Sequence, residues 1–412
     1  MHSPTPEEEP MDSCAPPPPP AFDSPDLHSG VGTYPSAGHD FFEQLTALLP
    51  PTPDVATAVV GHLLPTQLVF IEALAQVLDV VSLLPKPRSV DEAVRSRASS
   101  IAPCDLLDRV LFRDPAFVVQ YLEERAAGRP LVLLDVGGYF APVLEQVTER
   151  FSGTLLGVVE DTENGHRRYL EYEKLPCPVF SAARSPLKDA EDALVGEAVV
   201  FSVEALVRAR CDVLPGRCAC VIGYGKIGSA AADALRARRV TVTVVETDPV
   251  RRARATTHGY RTFTTMHEAL ADSTVVVCAT GRRALTTPDL VHLRNGAYVA
   301  SVTSHDDEMD LSGAHALFHR TPEGPHTTRF SRGDKHFFLL SNGDAVNFVH
   351  GSAVGTSIHL VQAELLTAAS LLATGTHGPG LHQVPADLQR RIADLWLSTF
   401  HDTRKDAQHA YP

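Results

Sequence analysis

Paired cysteines, long apolar runs and a surplus of basic charge are all missing from this chain. Its seven cysteines are scattered with no C-x-x-C pair, which argues against a disulfide framework or a structural zinc site. Lysine and arginine number 36 against 50 aspartates and glutamates, a net charge of −14. A general binder of nucleic acid or of anionic membrane needs a basic face, so neither partner is expected. No apolar run reaches the ~18 residues that cross a bilayer. The start of the chain lacks the basic-then-apolar order of a signal peptide and carries Glu7, Glu8, Glu9 and the prolines 16 to 20 instead. A cytoplasmic protein is the expectation. No internal repeat is visible. What remains is an ordinary globular composition, 44% hydrophobic and 21% charged over 412 residues, long enough for two or three domains.

Residues 1–40 are rich in proline, serine and aspartate without apolar periodicity and read as a disordered tail. Folded structure is expected from Phe41 onward. Strand-like and helix-like segments then alternate: Thr57 to Val60, a helix over Thr66 to Val77, Val80 to Leu84, a helix over Ala116 to Ala127, then strands Leu131 to Leu134 and Leu155 to Val159. The last two end in Asp135-Val136-Gly137-Gly138 and Glu160-Asp161-Thr162. Polar and glycine residues at the carboxyl ends of strands are where α/β sheets place ligand sites. A second α/β unit begins near Arg217. It has strands at Cys218 to Ile222, Val240 to Val245, Arg261 to Phe263, Thr274 to Cys278, Ala297 to Val302 and Phe337 to Leu340. An apolar helix is expected over Ala363 to Leu372. Cys218 and Cys220 are expected as small buried apolar residues.

Residues 221 to 228, Val-Ile-Gly-Tyr-Gly-Lys-Ile-Gly, carry the strongest signal. A buried strand precedes them and a helical stretch, Ile227 to Arg236, follows. Gly223 can make the tight turn, Gly225 lets a pyrophosphate approach the backbone, and Gly228 lets the helix pack on the strand. The free N–H groups of the helix start favour the phosphates. Glu246 ends the next strand. An acid there suits ribose hydroxyls and repels a 2′-phosphate, so NAD is favoured over NADP, with Arg251 and Arg252 close behind keeping NADP open.

The same region holds Glu246-Thr247-Asp248-Pro249, His258-Gly259-Tyr260, the run Thr264-Thr265-Met266-His267-Glu268-Ala269, Ala279-Thr280-Gly281 and, more loosely, Asp306-Asp307-Glu308-Met309-Asp310. In order and spacing these resemble the NAD domain of the S-adenosyl-L-homocysteine hydrolase (adenosylhomocysteinase) family. A fainter resemblance extends over residues 50 to 412. It implies two α/β domains, with a Rossmann NAD-binding domain (200–346) inserted into a discontinuous substrate domain (41–199 and 347–380), and a C-terminal tail (381–412). It also implies tightly held NAD, a small nucleoside substrate, a place in one-carbon metabolism and a homo-oligomer, tetramer or dimer. In that family a nucleoside 3′-hydroxyl is oxidised, the acidified neighbouring proton is removed, the 5′ substituent leaves, water adds, and the ketone is reduced back.

Carried over by position, the resemblance implies catalytic roles for Lys188, Asp192, His62, Asp161, His305 and His350. Lys188 and Asp192 lie one helical turn apart and can share a face; a lysine takes a hydroxyl proton only if its pKa is lowered. Cofactor contacts fall on Gly223, Gly225, Lys226, Ile227, Gly228, Glu246, Thr162, Asn164, Thr280, Gly281 and Asn347. Lys405 and His409 or Tyr411 loosely echo residues that close a neighbour's site. The sequence departs from the family where Val136 replaces a catalytic aspartate, Ala183 and Ala193 replace asparagines, Leu64 and Thr66 replace residues that hold substrate, and Glu197 replaces a cysteine. Three functions follow: an adenosylhomocysteinase-like enzyme, a specialised nucleoside oxidoreductase, epimerase or lyase, or a non-catalytic NAD-binding regulator.

Overall fold

Strands that are apolar at every position, instead of alternately, belong to sheets covered on both faces. Leu131–Asp135 is buried at all five positions and Val275–Cys278 at all four. The computed structural model, which describes residues 34–303, 308–352 and 354–401, builds two such sheets.

The first contains β1 (Thr52–Leu63), β2 (Leu78–Val90), β3 (Leu131–Asp135), β4 (Leu155–Glu160), β5 (Pro178–Ser181) and β16 (Gly380–His382). Its order is β16-β5-β4-β3-β1-β2 and every pairing is parallel. The second contains β6 (Cys218–Ile222), β7 (Thr241–Val245), β8 (Arg261–Phe263), β9 (Val275–Cys278), β11 (Ala297–Ser301), β13 (His319–Pro322), β14 (Thr327–Arg332) and β15 (Lys335–Leu340). Its order is β13-β14-β15-β11-β9-β6-β7-β8, parallel from β8 to β15 and extended at one edge by the antiparallel β14 and β13. The short strands β10 (Leu285–Thr286) and β12 (Met309–Asp310) form a separate parallel pair. Strand order reverses between β1 and β3 in one sheet and between β6 and β9 in the other, the crevices where doubly wound sheets bind ligands. The fold is α/β, with a Rossmann-type second domain.

Local chemistry sets many of the helix starts. Asp114 caps the helix Pro115–Ala126 by accepting from Ala116 N at 2.9 Å, with proline in the first turn. Asp248 does the same for Pro249–Thr257, accepting from Arg251 N at 2.8 Å. Such caps satisfy N–H groups that the helix leaves open, and proline there sacrifices no bond. The long helix Lys188–Ala209 leads from the first sheet to the second. Its later turns place Val199, Val200, Val203 and Val207 in the second core, while Lys188 and Asp192 stay at the cleft. The expected boundary at 199/200 falls inside this helix, and the one at 346/347 inside the short turn Val346–His350. The chain then returns through Ile358–Thr374, which packs on β3 and β4.

Several expectations need correction. The helix Tyr34–Thr46 lies partly in the stretch read as a tail, and it seats Phe41 and Phe42 fully in the first core. Residues 1–33 and 402–412 lie outside the described residues. The stretch from 381 is no tail: β16 forms the edge of the first sheet, and Ala386–Phe400 packs Leu388, Ile392, Leu395 and Trp396 against the same core. Those four recur at helical spacing, a pattern visible in the sequence. Gly355–Thr374 is apolar and long enough to cross a bilayer, contrary to expectation, but 72% of its most apolar window is buried inside the protein. Cys220 is buried and Cys218 is exposed, because Cys218 begins its strand at the sheet's rim.

Candidate functional site

A cleft of about 2140 Å³ runs between the two domains. It is lined at the carboxyl ends of the strands where both sheets reverse order: His62 of β1 and Val136 and Gly137 after β3 on one side, Gly223 after β6 and Ala279 and Thr280 after β9 on the other.

On the second-domain side the glycine turn has the shape its sequence predicts. Gly223 has φ +96°, a left-handed conformation that favours glycine, and an added Cβ would sit 2.6 Å from the Ala279 carbonyl oxygen. A Cβ on Gly228 would meet the Gly223 carbonyl oxygen at 2.2 Å. Gly225 has no atom within 4 Å of its missing side chain, so bare backbone faces the cleft. Glu246 closes the turn from behind: its carboxylate accepts from Tyr224 N at 2.7 Å and Asp248 N at 2.8 Å. Glu308, fully buried, grips the next loop by accepting from Thr280 N at 3.1 Å, Thr280 Oγ1 at 2.9 Å and Gly281 N at 2.6 Å. Burial pushes its carboxyl up to about 7 against those hydrogen bonds.

On the first-domain side, Lys188 begins its long helix and is 7% exposed. Its ammonium donates to Asp161 Oδ1 at 2.9 Å and to Glu191 Oε2 at 2.7 Å. Asp192 instead faces the Lys226 ammonium at 3.5 Å, and Lys226 also reaches Asp189 at 2.9 Å. Burial alone lowers the Lys188 pKa, but Asp161, Glu191 and Asp192 outweigh it and hold the lysine well above its usual range. Burial in turn raises Glu191 and Asp192. His62 is kept neutral by burial and by Lys86 and Lys188. Its Nδ1 lies 2.6 Å from Ser89 Oγ, and Ser89 donates its single proton to the Lys86 carbonyl at 3.1 Å. With Ser89 donating to that carbonyl, it accepts from His62 Nδ1–H, the tautomer in which Nε2 is the bare acceptor.

Residues 199–353 match the family model of the NAD-binding domain of S-adenosyl-L-homocysteine hydrolase. The second domain is an NAD-binding domain. Among solved structures, a dipicolinate synthase subunit from Bacillus halodurans is similar at 13% identity, covering 78% of this chain and 99% of that one, with a TM-score of 0.45. A phosphoglycerate oxidoreductase from Vibrio cholerae o395 is similar at 14% identity, covering 64% and 80%, with a TM-score of 0.39. Similarity at that level says nothing about substrate.

NAD fits the residues present. The open backbone at Gly225 leaves room for a pyrophosphate. Asn347, 3% exposed, does not itself line the cleft; it lies between the lining residues Ala345 and Phe348, with its Nδ2 on Ser352 Oγ at 2.7 Å and a buried Oδ1 that has no hydrogen-bond partner among the described residues. Ile227 and Glu246 also line the cleft.

Other expected contacts are placed differently. Lys226 is spent on Asp189, Asp192 and the Ala183 carbonyl, tying the glycine turn to the first domain. The Thr280 and Gly281 amides belong to Glu308, and the Thr162 hydroxyl accepts from Gly165 N and donates to Glu160. Asn164 presses its side chain onto Gly281, where an added Cβ would lie 2.1 Å from Asn164 Oδ1. Arg167 bonds the Thr280 carbonyl at 3.1 Å across the same seam.

Among the catalytic candidates, His62, Asp161, Lys188 and Asp192 line one cleft. The Lys188–Asp192 hydrogen bond is replaced by Lys188–Asp161 and Lys188–Glu191, because the lysine side chain turns toward β4. The lowered lysine pKa is overturned for the same reason. His350 does not line the cleft: it bonds Ser202 at 3.1 Å and packs on Phe201. Glu197 pairs with Arg238 at the surface. His305 lies outside the described residues, as do Lys405, His409 and Tyr411. Sequence reading missed Glu191, whose signal was its place one helical turn from Lys188, and Glu308, which stands inside the acidic run from 306 to 310.

Proposed function

We propose that this protein is an NAD-dependent enzyme that oxidises a secondary hydroxyl of a small nucleoside reversibly, S-adenosylhomocysteine or a relative being the substrate class. The reading rests on one observation above all: a buried lysine ringed by three carboxylates faces the same cleft as the NAD-binding glycine turn. NAD, when bound, supplies the two-electron acceptor. Lys188 keeps its proton and so orients the substrate oxygen and stabilises negative charge on it. Asp161 and Glu191 hold that ammonium in place. The proton leaving the hydroxyl goes to Asp192, a carboxylate that lines the cleft and whose pKa burial raises. Once the carbon is a ketone, the proton next to it is acidified, and His62, a neutral imidazole lining the cleft and bonded to Ser89, takes it.

A simple oxidation, epimerisation or elimination asks nothing more of the cleft. Complete thioether hydrolysis also needs a group to activate water, and Val136 offers none where the resembling family has a carboxylate. The specialised redox outcome is therefore favoured over hydrolysis. The test is to purify the protein, identify its bound nucleotide and add adenosine or S-adenosylhomocysteine. A rise in enzyme-bound NADH absorbance is the expected result, and homocysteine release would restore the hydrolase. Neither signal with any nucleoside would overturn the enzymatic reading.

A further inference from the structure

An acid at the end of β7 is the residue that turns a ribose 2′-phosphate away in dinucleotide sites. Here that acid faces inward. Glu246 is 5% exposed, and both of its carboxylate oxygens accept from backbone amides: Oε2 from Tyr224 N at 2.7 Å and Oε1 from Asp248 N at 2.8 Å. The carboxylate keeps its charge but has fewer lone pairs left for ribose hydroxyls. Asp248, the other acid at this end of the cleft, caps the next helix by accepting from Arg251 N at 2.8 Å.

The wall around these two acids carries cations and a hydroxyl. Thr247, Arg251 and Arg254 all line the cleft, and all three are exposed. Arg251 and Arg254 stand three residues apart on the helix Pro249–Thr257 and so share a face. Arg254 is anchored on the glycine turn: its Nη2 donates to the Tyr224 carbonyl at 3.4 Å, and its guanidinium lies 5.1 Å from the Tyr224 ring centroid. The Arg251 guanidinium and the Thr247 hydroxyl have no hydrogen-bond or ion-pair partner among the described residues. Arg252 is placed differently. It does not line the cleft, and its Nη1 donates to the Glu246 and Thr247 carbonyls at 2.9 and 3.3 Å.

We propose that this end of the cleft also takes a phosphate on the ribose 2′-oxygen, so that NADP binds as well as NAD, with Arg251 the residue that decides for the phosphate. A guanidinium binds phosphate through two parallel hydrogen bonds, and a threonine hydroxyl adds a third donor. Glu246 and Asp248 stay close by, so the outcome is shared occupancy instead of a preference for NADP. The inference rests on the second domain's dinucleotide site and is independent of the substrate. The test synthesises the chain cell-free with NAD and NADP in equal excess, so that it folds with both at hand. The protein is then desalted and denatured, and the two released nucleotides are counted. NADP should make up about a tenth or more of the total. Arg251→Gln should keep NAD and lower the NADP-to-NAD ratio about tenfold, and raising the salt should lower that ratio in the unaltered protein. NADP below about a hundredth of the total, a ratio that survives in Arg251→Gln, or a variant that loses both nucleotides alike overturns the proposal while NAD in the unaltered protein upholds the site. An unaltered protein that binds neither nucleotide overturns the dinucleotide site and this proposal with it.

Discussion

Each half of the cleft is a strand, a glycine turn and a helix, with a glutamate on the neighbouring strand gripping the turn's amides. Glu160 does this for the turn after β3 and Glu246 for the turn after β6. The contents differ. The turn after β6 shows bare backbone at Gly225, whereas the turn after β3 is filled by Tyr139, Lys86 and Arg168. A main-chain site needs only that glycines shape it, so its sequence pattern is compact and durable. A side-chain site depends on residues from several distant segments, and each can change independently. The half that matches the family model of an NAD-binding domain is the main-chain one.

The comparison can be broken most forcefully at Lys188. Lys188→Ala should cut NADH formation by about 10³-fold or more with NAD still bound, read by absorbance and by nucleotide analysis after denaturation. Normal turnover in that variant would remove the lysine cluster from the chemistry. His62→Gln should lower exchange of the proton beside the ketone by about 10²-fold while NADH still forms, measured by deuterium incorporation. If oxidation and exchange fall together, His62 is no separate base. Gly228→Ala puts a Cβ against the Gly223 carbonyl. It should cost about 1–3 kcal/mol of stability and deplete bound NAD; a variant that melts normally with full NAD would mean the turn is more pliable than its geometry indicates.

Smaller effects probe the carboxylates behind the turns. Burial, with Asp135 beside it, pushes Glu160 from 4.5 up to about 8. Between those values the native state holds a proton that the unfolded chain has released. That contribution is complete below about pH 4.5 and is lost as pH rises through about 8. The urea midpoint should therefore fall between about pH 5 and pH 9, and Glu160→Gln should flatten the fall; an equal fall in both proteins would place its origin elsewhere. The smallest effect is expected at His350, which bonds Ser202 outside the cleft. His350→Ala should change turnover by no more than about twofold, and a large loss of turnover with normal stability would return that residue to the site.

Local pattern carried most of the strands and the cofactor turn. Continuous apolar runs such as Leu131 to Leu134 mark buried parallel strands, and glycine spacing at 223, 225 and 228 reports a backbone shape directly. Pro178–Ser181 and Gly380–His382 were missed because they are short and take their place only by pairing with each other and with β4. For Lys188–Ala209 only the turn from Lys188 to Asp192 was read as helical and no bounds were given, because its apolar face turns from one domain to the other along its length.

The chain alone settled that two α/β units exist and that one binds a dinucleotide, since these depend on interactions between residues close in sequence. Tertiary structure decided the partners of each charge. Lys188, on a helix, meets Asp161 just beyond β4, Lys226 crosses to the first domain, and Lys86, Arg109 and Arg168 come to one loop from three separate segments. Electrostatic fate follows distance in space and burial, which no spacing along the chain records.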